Sequence, residues 1–171
     1  MNRPVSASTP SQTSRILIED FEHGFEQLEA RNRDLLQKVP TGLLYKPANL
    51  LGLHPASVGE LVLKSAGAIE QTCGGLTANL WDDPFEWTLP ETLSNSDLIV
   101  DYLCEVDRLR QLAFNSITDD SALTKYISAP AGERQLVNVL LETLIQAGDY
   151  RGRAVATIKI LSGEGAARFI I

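Results

Sequence analysis

Residues able to do acid–base, nucleophilic or metal chemistry are few and scattered in this chain. It has two histidines, His23 and His54, and two cysteines, Cys73 and Cys104, among 171 residues. A carboxylate-bridged di-metal bundle needs Glu-x-x-His motifs on facing helices. The run Glu19-Asp20-Phe21-Glu22-His23 comes nearest to one, on a single helix. Helical spacing pairs His23 with one of the neighbouring glutamates, and two such groups fall short of the three or four ligands that hold a metal. His54, beside Pro55, reads as a loop surface residue. The cysteines show no CxxC or zinc spacing and lie in apolar helical patterns, so they read as buried reduced thiols of a cytoplasmic protein. Neither a Gly-x-Ser-x-Gly elbow nor a phosphate-cradling glycine loop is present. Nothing here assembles a catalytic constellation.

The bulk properties narrow the classes. The length suits one domain with a core of its own. A net charge of −7 and a pI near 4.8 repel a nucleic-acid backbone, so no nucleic-acid partner is expected. No apolar run approaches the roughly 18 residues of a membrane span, and no membrane partner is expected. Residues 1–13, MNRPVSASTPSQT, read as a disordered N-terminal tail, because they are polar and lack the apolar segment of a signal peptide.

Helical periodicity sets out the elements that must position any site. Ser14 to Val39 forms the first helix, with Ile18, Phe21, Phe25, Leu28, Leu35 and Val39 on one face. Glu19, Glu22, Glu26, Glu29 and Arg33 fall mostly elsewhere, and Pro40 ends the helix. An irregular connection of some 16 residues follows. Ser57 with Glu60 is a capping-box signature that opens the second helix, whose glycines at 59, 67, 74 and 75 require packing to hold it. The segment LWDDPFEWTLPETL reads as a crossover whose aromatic rings cover one end of the fold. Ser94 to Ser96 offer the N-cap of a third helix running to Ser116. TDDSALTKYISAPAGE reads as a short helix or turn.

Leu136 to Gly163 organises the rest, as one proline-free helix of roughly 40 Å. Gln135, Asn138, Glu142, Gln146, Asp149, Arg153 and Thr157 make its polar stripe, and apolar residues fill most of the other faces. Gly148 and Gly152 would let another backbone come close. Arg151 points into the apolar arc, where it needs a carboxylate such as Asp101, Glu105 or Asp107. The whole is an all-α, four-helix bundle over 14–163, with long structured connections after helices 1 and 2 and an apolar tail at 164–171.

Three stretches, SVGELVLKSAGAIE at 57–70, LIVDYLCEVDRLRQLAFNSITDDSALTKYI at 98–127 and LIQAGDYRGRAVATIKILSG at 144–163, resemble the DinB-like superfamily. The likeness runs from about Ile16 to Gly163. Arg151-Gly152 matches the family's Arg-Gly pair, and Ile158-Lys159-Ile160-Leu161 matches its helix end. The family's divalent-metal site uses one histidine on helix 2 and two on helix 4. Those positions fall at Lys64, Gln146 and Tyr150 here, and the glutamine after Arg-Gly becomes Arg153. The resemblance therefore implies a degenerate metal site with no metal and no cofactor.

Lys64, Gln146, Tyr150 and Arg153 are then candidates for a metal-free pocket that attracts a small anionic ligand such as a carboxylate. The competing reading leaves Gln146 and Arg153 on a solvated stripe. The function expected is that of a metal-free, ligand-binding or non-enzymatic relative, acting as a cytoplasmic homodimer. The alternative is a thiol-dependent transferase or metal-dependent hydrolase of the DinB-like type with a substituted site.

Overall fold

The computed structural model describes residues 14–48, 56–84 and 88–163. His54, Phe85, Trp87, the N-terminal tail and the apolar C-terminal tail, each the subject of an expectation above, lie outside the described residues. The described chain is mostly helical. Its long helices are α1 (Ile16–Lys38), α2 (Val58–Ala78), α3 (Ser96–Ser116) and α4 (Leu136–Leu161). The expected all-α class is modified by a small antiparallel hairpin, β1 (Tyr126–Ala129) and β2 (Gly132–Gln135), registered Tyr126 to Gln135. The stretch expected to hold a short helix or turn does hold one, a single 3-10 turn over Asp120–Thr124, with the hairpin following it. Gly132 takes φ 103° at the turn, a conformation that costs other residues a steric clash.

Side-chain contacts fix the helix directions. Arg33 reaches the Leu103 carbonyl while Glu22 reaches Arg110, so α1 and α3 are antiparallel. Ser65 donates to the Ala147 carbonyl at 2.9 Å and Thr72 meets Thr143 at 2.7 Å, so α2 and α4 are antiparallel too. Gly24 lies against Leu144, and the charges of Arg31 and Asp34 act on Arg151, so α1 and α4 run the same way. It follows that α2 and α3 are parallel. The chain leaving α2 must travel back along the fold before α3 can begin.

That return path explains the glycines of α2. Going backwards along the helix, the Trp81 ring lies on Gly75 and the Pro84 ring on Gly67. The Tyr45 ring lies on Gly59, and its O–H donates to the Leu93 carbonyl near the end of the crossover. Each ring fills the space a Cβ would need. Asn79, at φ 54°, ends α2 in the left-handed conformation and starts the turn. The expected capping box is present, with the Ser57 N–H donating to Glu60 at 2.7 Å.

The N-cap of α3 falls within the expected Ser94 to Ser96, where Asn95 accepts from the Leu98 N–H at 3.0 Å. The N-terminus of α1 is capped from far away, as Asp120 accepts from the Ile18 N–H at 3.1 Å. Gly148 and Gly152 receive no neighbouring backbone, since nothing stands within 4 Å of a Cβ built on either. Leu141, on the apolar arc of α4, is exposed.

The glycines of α2 and α4 therefore predict opposite signs. Gly75→Ala must displace Trp81 and is expected to destabilise by about 1–3 kcal/mol, although alanine is the better helix former. Gly148→Ala meets open space and is expected to stabilise by about 0.5–1 kcal/mol. Urea midpoints of the two variants moving in the same direction would contradict the packing described.

Candidate functional site

A cleft of about 570 Å³ opens between α2, α4 and the returning crossover. The crossover borders it, with Trp81 and Pro84 packed on Gly75 and Gly67 of α2 and the Trp81 carbonyl accepting from Gln71. Lys64 of α2 and Gln146 and Tyr150 of α4 line it together, since antiparallel packing sets these turns side by side. Leu63, Ala68, Pro84 and Leu89 supply apolar wall, and Glu60, Asp83 and Glu91 add carboxylates. Arg153, the fourth candidate, is not among the lining residues. It pairs with Asp149 at 3.8 Å, and its guanidinium carbon stands 5.7 Å from the centre of the Tyr150 ring. Gln146 and Arg153 are solvent-exposed on the polar stripe, and Tyr150 is half-buried.

The carboxylates are not equivalent. Glu60 is held by the Ser57 N–H and hydroxyl. Burial, then the charges of Glu60 and Glu91, push the Tyr45 hydroxyl up to about 12. Tyr45 is thus a neutral donor at physiological pH.

A second polar group lies in the core and was not expected. Arg110 of α3 is 3% exposed and Glu29 of α1 is 1% exposed. Arg110 contacts Asp107 at 2.7 Å, Glu22 at 3.3 Å and Glu29 at 3.6 Å. Burial opposes its charge, but the Asp107 hydrogen bond and the three carboxylates outweigh burial and hold it above its ordinary value. Burial favours the neutral form of Asp107, yet the adjoining Glu29, the Arg110 hydrogen bond and the charges of Arg110 and Arg33 keep it below the usual carboxylate range. Glu29 goes the other way. Burial, then the neighbouring Asp107 carboxylate, push it up to about 8. Neither Glu29 oxygen has a hydrogen-bond partner within the usual distance.

This overturns two placements. Glu29 does not lie off the apolar face of α1, because α3 brings a guanidinium to meet it. Asp107 partners Arg110, not Arg151. Arg151 faces α1 instead, where burial lowers its basicity, the Arg31 charge adds to that and Asp34 opposes it. Its Nε is buried without a hydrogen bond. A lone polar residue among apolar ones, such as Arg110 beside Leu109 and Leu103, was the signal available in the sequence.

The remaining reactive groups are quiet. The buried Cys73 thiol is pushed up to about 12 by burial and then by the Glu29 charge, with Arg110 opposing, so it stays protonated. His23 is exposed, 3.6 Å from Glu26 and 2.6 Å from Gln27. Among the described residues no three His, Cys, Asp or Glu side chains are grouped to hold a metal ion. No helix among them is long and apolar enough to cross a membrane.

No family model matches the chain, and no curated protein does. Among solved structures it is similar to a conserved protein from Enterococcus faecalis, at 17% identity and a TM-score of 0.68. That match covers 86% of this chain and 98% of the other, so the two share a fold.

The raised Glu29 pKa has a defined stability consequence. An acid that titrates near 4.5 when unfolded and near 8 when folded holds its proton more tightly in the native state. Its contribution is complete below pH 4.5 and is lost as pH rises to 8. Glu29→Gln mimics the protonated acid and removes this loss. The variant is expected to gain on the wild type by on the order of 2 kcal/mol between pH 5 and pH 8.5, read from urea midpoints. A difference that does not change with pH would show that Glu29 is ionised in the fold.

Proposed function

We propose that this chain is a DinB-like four-helix-bundle protein that binds a small ligand in the α2–α4 cleft without the family's metal. The observation that carries this reading is convergence. Lys64, far in sequence from Gln146 and Tyr150, lines one cleft with them, and the three are matched to the family's ligand positions. An ammonium, a carboxamide and a phenol are poor company for a divalent ion, which wants imidazole, thiolate or carboxylate. They suit an anionic group such as a carboxylate, with Lys64 as its charge partner and Tyr150 and Gln146 as hydrogen-bond donors. Arg153, stacked beside Tyr150, contributes from outside the lining.

The same reading has the protein acting in the cytoplasm as a homodimer. Leu141 and Ile145, exposed on α4, offer an unpartnered apolar strip for that contact. A monomeric mass by light scattering at working concentration would remove the dimer from the reading.

Elemental analysis of the purified, untagged protein, with titration by zinc, nickel and manganese, tests the metal-free site. The expected result is substoichiometric metal and no thermal shift on adding any of the three. Stoichiometric metal would overturn the reading. Lys64→Ala is expected to weaken binding of a monocarboxylate probe by about tenfold, the effect of losing one modest charge contact. Backbone amide shifts at Gln146 and Tyr150 would report it.

A further inference from the structure

The cleft's charges are not those of a site for a simple anion. Three carboxylates, Glu60, Asp83 and Glu91, stand against one ammonium, Lys64. Glu60 is committed to the helix cap, and Asp83 has an interaction of its own. Among the described residues Lys64 makes no ion pair or hydrogen bond, although three acids share its cleft. Glu91 makes none either, acting only as a nearby charge on Tyr45. Lys64 on α2 and Glu91 on the crossover, opposite charges on two walls, each lack a counter-charge among the described residues.

An anion alone would satisfy Lys64 and be repelled by Glu91 and Asp83. A cation alone would leave Lys64 opposing it. A ligand carrying both charges meets both walls, and Coulomb attraction at either end is not cancelled by repulsion at the other. Leu63, Ala68, Pro84 and Leu89 line the same cleft and favour an apolar spacer.

We propose that the cleft takes a small zwitterion, an amine and a carboxylate joined by an apolar spacer, with the carboxylate at Lys64 and the amine at Glu91. Gln146 and Tyr150 stand on α4 beside Lys64 and donate to the carboxylate. This rests on the ligand-binding reading above and names the class of ligand for that site.

The test is a titration of the full, isotope-labelled chain at neutral pH, followed by amide shifts, with four probes. They are 4-aminobutyrate, 6-aminohexanoate, butyrate and butylamine. The expected result is that at least one amino acid binds about tenfold more tightly than either single-charge probe, with shifts at cleft residues. Glu91→Gln should reduce that amino acid to the level of butyrate, and Lys64→Ala to the level of butylamine. Both residues are exposed, so folding is expected to survive, and the amide spectrum itself verifies it. Butyrate binding as well as both amino acids would overturn the zwitterion and leave the anion-binding reading standing. No cleft shift with any probe would overturn both.

Discussion

The parallel course of α2 and α3 is the constraint on which the rest of this structure depends. Two parallel neighbours cannot be joined by a short turn, so a crossover must run the length of the fold. A segment with so many carbonyls and N–H groups cannot sink into an apolar core. It lies along α2 instead, where Gly75 and Gly67 admit its Trp81 and Pro84 rings, and its Leu93 carbonyl accepts from Tyr45, whose ring lies on Gly59. Helix propensity is given up at those positions for close approach. The cleft is bordered by this crossover, α2 and α4.

A second constraint acts through the core. Arg110 brings a permanent positive charge to the α1–α3 interface, and an unpaired charge there would be costly. Asp107 neutralises it from one turn away, with Glu22 at the edge. A third ionised carboxylate would leave excess negative charge in a poor solvent, and Glu29 avoids this by keeping its proton. Nearby, Asn32 donates to Ser65 at 3.0 Å and Ser65 donates to the Ala147 carbonyl, tying α1, α2 and α4 together. These polar ties select one register of the helices, which apolar packing alone specifies less sharply.

The cleft and the core network have different electrostatic characters. In the Arg110 network every charge has a partner, and the ionisation states follow from contacts within a few ångströms. In the cleft Lys64 and Glu91 face water and each other's neighbourhood without pairing. A structural network satisfies itself. A binding surface keeps charges available, which is the physical contrast that separates the two groups of residues.

Much of this was legible in the sequence because it depends on local spacing. The apolar faces of α1, α2 and α3 follow from the 3.6-residue repeat, and the buried Ile18, Phe25, Leu61, Ile69, Ile99 and Val106 are residues that the repeat selects. The Ser57–Glu60 cap is local chemistry, and so is the stop at Pro40. The hairpin at 126–135 was missed, since its two strands have four residues each and alternate only weakly. Residue spacing also put Lys64, Gln146 and Tyr150 on matching turns of two helices, but only the antiparallel packing of α2 against α4 brought them to one cleft. The burial of Glu29, the partner of Arg110 and the empty flank of Gly148 and Gly152 were decided by tertiary structure. Each depends on which helix stands opposite, and a helical wheel records the direction of a side chain without recording what it meets.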